Sequence, residues 1–326
     1  MERPRRLSLL KPTGHLTLGN YLGAIKGMAA EQREATCFYG IADLHALTTR
    51  HDPTRLRDLT TETATLLLAC GVDPDRATVF VQSQVPTHSA MSYLLESTAY
   101  TGELNRMIQF KEKGRDRPRT RVSLYTYPAL MTADILLYRA SEVPVGDDQR
   151  QHVELTRDLA IRFNATYGEV FTVPAITTPP VGARVMDLQD PSTKMGKSQA
   201  NGSGIVYLLD DPATVRRKIA RAVTDSDNRV EYDPEGKPGV SNLLDIVAAC
   251  EGIGPSEAAT ELASYAGLKQ RATTAVLDVL EPIQTRYADL AAAPKEVAAV
   301  YADGAERSRT ETAPVLAAAM RAIGLG

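Results

Sequence analysis

Cysteine is scarce in this chain of 326 residues: Cys37, Cys70 and Cys250 stand far apart, no C-x-x-C pair occurs, and an odd number leaves no complete disulfide set. That excludes a disulfide-framed scaffold and fits a reducing, cytoplasmic compartment. Long apolar runs are absent as well. After Arg3, Arg5 and Arg6 the apolar stretch is only Leu7 to Leu10 before Lys11 breaks it, so neither a signal peptide nor a membrane span is expected. No large charge excess exists, since 37 Lys plus Arg stand against 40 Asp plus Glu, a formal charge of −3. A histone-like polycation is thereby excluded, although a local basic patch is not. The phosphate-loop fingerprints G-x-G-x-x-G and G-x-x-x-x-G-K-[ST] are both missing. So is tryptophan. What is present is an ordinary globular composition, 43% hydrophobic and 24% charged. The length suits one large domain with an appendage, or two domains.

Arg6 to Leu10 reads as a short strand cut by the turn cluster Pro12-Thr13-Gly14. Gly19 to Gln32 then reads as a helix, Cys37 to Ala42 as a buried strand, Arg55 to Cys70 as a helix and Thr78 to Gln82 as a third strand. This alternation predicts a parallel α/β sheet with ligands at the carboxyl ends of its strands. Helical patterns follow over Met91 to Phe110 and Pro128 to Leu137, with Pro128 expected in the first turn of its helix. Between them, Lys111 to Arg121 holds six cations and two anions in eleven residues. It reads as a solvated loop or as a phosphate-tracking surface for nucleic acid. Val143 to Gln149 runs from an apolar strand into a polar loop, with a helical segment from Arg150. Beyond Ser198, Asp210-Asp211-Pro212 caps a helix starting near Ala213 and the rest is helical, which puts a domain boundary near residue 205.

Five places carry residues of candidate chemistry. The glycine turn from Pro12 to Gly23, between strand and helix, suits a phosphate at a helix start. Lys194-Met195-Gly196-Lys197-Ser198 sets two lysines three apart on a glycine-softened loop, able to follow charge on a polyphosphate. Asp134 shares a helix face with Leu130 and Leu137, and a carboxylate on an apolar stripe is costly unless a substrate or a neighbouring arginine pairs with it. Asp43 and His45 lack a recognisable nucleophile partner, so a dyad hydrolase is not expected. Asp147, Asp148, His152 and Glu154 have the chemistry of metal ligands but no spacing that makes them converge, and no metal site is expected.

Thr17-Leu18-Gly19-Asn20 and Lys194 to Ser198 together resemble the HIGH and KMSKS elements of class I aminoacyl-tRNA synthetases, and His15 is a decoy beside the first. Further segments sharpen the resemblance to bacterial-type tryptophanyl-tRNA synthetases: P-T-G-x-L-x-L-G-N-Y-L-G-A from Pro12, G-E-L-x-R-M-x-Q-F-K-E-K from Gly102, T-Y-P-x-L-M-x-A-D-I-L-L-Y from Thr126, V-P-V-G-x-D-Q from Val143, V-G-A-R-V-M from Val181 and L-L-D-D from Leu208. The helical remainder matches more loosely.

That resemblance implies an α/β chain with a Rossmann-like doubly wound parallel sheet in a catalytic domain (1–204, dimer-interface helices included). A helical anticodon-recognition domain (205–290) follows, then a C-terminal helical segment (291–326) packed back on the catalytic domain. It implies ATP-dependent activation of L-tryptophan to tryptophanyl-adenylate and transfer to tRNA(Trp), with AMP and pyrophosphate released and Mg²⁺ entering with the ATP. A cytoplasmic homodimer with no membrane or DNA partner is implied too.

By the same resemblance Thr17, Asn20, Lys194, Lys197 and Ser198 are catalytic. Lys11, Pro12, Thr13, Gly19, Asn20, Gly146, Asp147, Asp148, Val185, Lys194, Met195, Gly196, Lys197 and Ser198 line the ATP site. His45, Tyr127, Met131, Asp134, Val145 and Gln149 line the tryptophan site, with Asp134 accepting from the indole N–H, a donor that has no acceptor of its own. Lys111, Lys113, Arg115, Arg216 and Arg217 face tRNA.

Two departures stand out. The family reads S-G-I-Q-P where this chain has Ser8-Leu9-Leu10-Lys11-Pro12, an ammonium in place of an amide beside the pocket. Because the chain lacks tryptophan, its own translation does not depend on charged tRNA(Trp). The two features lead to the expectation of an auxiliary isoform tolerant of tryptophan-mimicking inhibitors. Gly196 at the third position of the lysine motif also occurs in tyrosyl-tRNA synthetases, the nearest rival. A non-catalytic RNA-binding paralogue is the rival from another class, and the intact glycines and lysines argue against it.

Overall fold

Short apolar runs become strands in this protein where the chain is covered on both faces. The computed structural model describes residues 3–114, 118–144, 147–177, 184–197, 202–260 and 262–326, without the side chains of Lys113, Asp147 and Asp148. Strand β1 (Arg5–Leu10) leads into α1 (Leu18–Asn20), a π-helical turn at Tyr21–Ile25, and α2 (Lys26–Glu31). The helix expected from Gly19 therefore carries a wider turn in its middle, a feature that recurs next to functional sites. Then come β2 (Thr36–Ile41), α3 (Asp43–Ala46), α4 (Pro53–Ala69) and β3 (Ala77–Val81). Asp52 starts α4 by accepting from the Arg55 N–H at 2.8 Å, with Pro53 in the first turn.

Next are α5 (Thr87–Thr98), α6 (Thr101–Asn105), α7 (Ile108–Lys113), α8 (Val122–Leu137), β4 (Glu142–Pro144), α9 (Asp147–Tyr167) and β5 (Ala175–Thr177). Three helices thus replace the one expected from Met91 to Phe110. The breaks are made by side chains that take backbone N–H groups: Glu103 accepts from Tyr100 N at 2.9 Å while gripped by Arg162 of α9, and Gln151 of α9 accepts from Ile108 N at 3.1 Å. Pro128 does not open its helix either, because α8 begins six residues earlier. A proline inside a helix costs about 3 kcal/mol through one lost backbone bond and a clash. Packing of α8 between α5 and α9 offsets it. Likewise α9 starts at Asp147, ahead of the expected Arg150.

Among the described residues the five strands are all parallel, in the order β3-β2-β1-β4-β5, with Arg5 to Leu10 paired in register with Thr36 to Ile41. The order reverses between β1 and β4, so the carboxyl ends at Leu10, Ile41, Val81 and Pro144 surround a topological switch point. The remaining helices are α10 (Pro212–Ala220), capped by Asp211 as expected, α11 (Pro238–Glu251), α12 (Pro255–Thr260), α13 (Tyr265–Ala292) and α14 (Pro294–Ala322). One apolar core runs from the sheet into α10 to α13. Helix α14 returns to β3, α5 and α8. A Cβ at Gly304 would lie 1.6 Å from the Val79 carbonyl oxygen, so only glycine lets this helix approach the strand. Among the described residues no helix is long and apolar enough to cross a membrane.

Candidate active site

The turn after β1 and the lysine loop, some 180 residues apart in sequence, lie directly against each other. A Cβ at Gly14 would fall 2.7 Å from the Lys197 carbonyl oxygen, and one at Gly19 would fall 3.2 Å from that of Met195. Thr17 and Asn20 close a reciprocal cap: Asn20 N donates to Thr17 Oγ1 at 3.2 Å and Thr17 N donates to Asn20 Oδ1 at 3.1 Å. Pro12 is buried and Thr13 exposed, its N–H donating to the Lys11 carbonyl at 3.0 Å. Behind the loop, Met195 N donates to the Val185 carbonyl at 3.0 Å, and both side chains are buried. Flanking Met195, Lys194 is exposed and Gly196 half-buried.

Lys197 reaches the residue just after β1, its Nζ donating to the Lys11 carbonyl at 3.1 Å. The residue keeps some exposed surface, yet protein encloses its ammonium. That loss of hydration pushes it down to about 8, against the pull of Glu62. Lys11 itself donates to Thr48 Oγ1 at 3.0 Å, and Thr48 donates to the His45 carbonyl at 2.9 Å. His15, beside the turn, pairs with Glu62 instead of entering the site.

At the ends of β2 and β3 lies Asp134, only 2% exposed. Its partners are not an arginine but two histidines and an amide. His45 Nε2 lies 2.7 Å from Oδ2, while His88 Nδ1 and Gln82 Nε2 each lie 2.7 Å from Oδ1. Burial pushes this carboxyl up, but the bonds and charges of His45 and His88 outweigh burial and hold it below the ordinary carboxylate range. An anion therefore sits beneath the sheet ends. His45 and Tyr127 meet edge to face with centroids 6.4 Å apart, and the Tyr127 hydroxyl bonds to His152 on α9. Met131 is half-buried one turn before Asp134, and Gln149 stands one turn before His152 on the same helix. Asp43 takes no part with His45, its carboxylate accepting from Ser83 N at 2.9 Å.

Val145, Gly146, Ser198 and Arg115 lie outside the described residues, as do the side chains of Lys113, Asp147 and Asp148. Lys111, Arg216 and Arg217 are exposed, the first on α7 and the others on α10, away from any shared element. Arg121 caps α8 and donates to the Leu47 carbonyl at 3.0 Å, which brings the end of the basic segment over α3. Sequence reasoning missed Gln82, His88 and Tyr138. A polar residue closing an apolar strand at its ligand end was the available signal for Gln82; nothing in the local pattern marks His88.

The comparisons with known proteins agree. A family model described as tRNA synthetases class I (W and Y) matches residues 2–287. The Tryptophan--tRNA ligase 1 of Streptomyces avermitilis is 55% identical across 98% of this chain and 98% of its own. The crystal structure of tryptophanyl-tRNA synthetase from Mycoplasma pneumoniae superposes with a TM-score of 0.92 at 35% identity, covering 99% of this chain and 98% of that one. That from Campylobacter jejuni, complexed with ADP and tryptophan, gives 0.83 at 28% identity, with 98% and 100% covered. With a family model matching most of its length and full-length relatives at up to 55% identity, the chain belongs to the class I tRNA synthetases of the tryptophan and tyrosine type.

Proposed function

We propose that this chain activates L-tryptophan with ATP, forming tryptophanyl-adenylate and pyrophosphate, and then transfers the tryptophanyl group to tRNA(Trp) with release of AMP. The observation that carries the choice of amino acid is Asp134, an anionic carboxylate sealed at the strand ends with three of its roughly four acceptor positions filled by protein. The open position on Oδ2 suits the indole N–H, and a site built on that bond rejects side chains without the donor. His45, Tyr127, Met131, Val145 and Gln149 complete the pocket in this reading.

The substrate's own carboxylate is the nucleophile at the α-phosphorus, so the protein contributes positioning and charge. Thr17, Gly19 and Asn20 cradle phosphates from the capped first turn, while Lys194, Lys197 and Ser198 follow the charge onto the leaving pyrophosphate. Pro12, Thr13, Gly146, Asp147, Asp148, Val185, Met195 and Gly196 shape the rest of the nucleotide site. Mg²⁺ enters with the ATP, held by phosphate oxygens and water as this ion prefers. A ribose hydroxyl of the terminal adenosine then attacks the acyl carbon.

The same reading assigns 1–204 to catalysis, 205–290 to the anticodon and 291–326 to a segment supporting the catalytic domain. Lys111, Lys113 and Arg115 face the acceptor stem, Arg216 and Arg217 face tRNA from α10, and the active form is a cytoplasmic homodimer. Lys11, tied through Thr48 to the loop of His45, supports an isoform whose pocket tolerates tryptophan-mimicking inhibitors.

Amino-acid-dependent exchange of labelled pyrophosphate into ATP tests the activity. The wild type is expected to respond to tryptophan and not to tyrosine. Asp134→Ala should lose tryptophan dependence chiefly through KM, by at least about 100-fold. Lys197→Ala should lose about 10²- to 10³-fold in kcat. A wild type whose exchange ignores tryptophan overturns the proposal.

A further inference from the structure

The three protein donors around Asp134 are not equivalent. His45 borders the site and keeps 13% of its side chain exposed. Gln82 is buried but anchored at one end only, since its Oε1 has no hydrogen-bond partner among the described residues. His88 is fully buried and bonded at both ends, to Asp134 Oδ1 at 2.7 Å through Nδ1 and to Tyr138 Oη at 3.1 Å through Nε2. Its ring is also clamped by packing, stacked on Phe80 and tilted against Tyr138 with centroids 5.6 Å away in each case. Tyr138 is held in turn between Phe38 and Phe80 at 4.7 and 5.2 Å.

Protonation follows from this packing. Burial drives the Tyr138 hydroxyl far above the ordinary phenol range, so it stays protonated. A carboxylate anion can only accept, so the 2.7 Å contact places a hydrogen on His88 Nδ1 directed at Asp134, and the Tyr138 hydroxyl meets the ring at its other nitrogen.

We propose that His88 is a positioning residue for amino-acid selection: by donating to Oδ1 from a clamped ring, it keeps the Asp134 carboxylate charged and turned so that one Oδ2 lone pair faces the ring nitrogen of the substrate. The proposal rests on the reading of Asp134 given above and extends it inward. Recognition of one N–H is anchored through His88 and Tyr138 in the aromatic core beneath β1, β2 and β3.

Pyrophosphate exchange with tryptophan and with its sulfur isostere, benzothienylalanine, tests this in the wild type and in His88→Gln, His88→Asn, Tyr138→Phe and Asp134→Ala. The Gln amide takes the place of Nε2 and abandons Asp134, whereas the Asn amide takes the place of Nδ1 and keeps that bond. His88→Gln should raise the KM for tryptophan about 10- to 100-fold, the range for outer groups that orient a binding residue. Its kcat and its KM for ATP should stay within about threefold of wild type, and its preference for tryptophan over the isostere should fall with the KM. His88→Asn should recover most of that preference, and Tyr138→Phe should fall between. Equal losses for both amino acids together with kcat mark a merely structural role and overturn the proposal. A wild-type preference in His88→Gln overturns it as well, as does a wild-type preference in Tyr138→Phe should His88→Gln fail to fold. If Asp134→Ala keeps the preference, the underlying reading of Asp134 has failed; if it loses the preference while the His88 variants do not, only the role of His88 has.

Discussion

Lys11 puts a charge where the resembling family has an amide, and the structure shows what that charge touches. Its ammonium bonds to Thr48 Oγ1, whose hydroxyl is tied to the carbonyl of His45, a direct partner of Asp134. A cation at that point alters the field felt by anything lying between His45 and the phosphate turn. Selectivity is a difference of two affinities, so a group need not clash with an inhibitor to discriminate against it; a charge that the substrate tolerates better suffices. Replacing Lys11 by Gln is expected to increase inhibition by an indole-based tryptophan mimic about tenfold, or about 1.4 kcal/mol, with the KM for tryptophan moving less. Inhibition curves for the two proteins in the exchange assay check this, and equal sensitivity removes the tolerant-isoform reading.

The lysine loop and the first helical turn act as one element, and the loop's titration follows from how it is seated. Enclosing the Lys197 ammonium strips its hydration, which the nearby Glu62 only partly offsets, so the group titrates at about 8. Its charged form dominates below that pH and is lost as pH rises through it. If Lys197 meets the phosphates, kcat/KM for ATP should fall with an apparent pKa of about 8, because that ratio reports the free protein. Bound triphosphate favours the cation, so kcat should persist to higher pH. Lys197→Arg, whose guanidinium stays charged, should give a level profile at a lower maximum. A wild-type kcat/KM that is level from pH 7 to 9 separates Lys197 from the nucleotide. This element was legible in the sequence because the turn after β1 carries glycine at Gly14 and Gly19, where a side chain would meet the lysine loop. The breaks between α5, α6 and α7 were not, since Arg162 and Gln151, which help make them, come from a helix more than 40 residues downstream. Asp134 was legible as a carboxylate on an apolar stripe, but its histidine partners lie 89 and 46 residues away and share no spacing with it.

For the whole molecule, the alternation of strand and helix carries the parallel sheet and its ligand end, while the return of α14 depends on one glycine that periodicity cannot single out. Helices α5 to α8 around Asp134 also expose large apolar side chains, which a two-fold partner is expected to cover as one outer face. Tyr93 is 72% exposed on α5, Tyr100 63% at the start of α6, and Val122 74% at the start of α8. Ile108, opening α7, adds a fourth large apolar side chain to this layer. Aromatic and aliphatic groups gathered on neighbouring elements suit the centre of a stable interface, which needs about 1,200–2,000 Å² in total. A two-fold pairing through this face is the form expected of a homodimer. Sedimentation equilibrium should therefore give twice the mass of one chain for the wild type. The double variant Tyr93→Glu, Val122→Glu should shift towards the single-chain mass at micromolar concentration. Both side chains already face solvent within one chain, so the secondary structure of the variant should stay intact by circular dichroism. A variant that remains a dimer moves the interface off this face, and a wild type that sediments as a single chain removes the homodimer altogether.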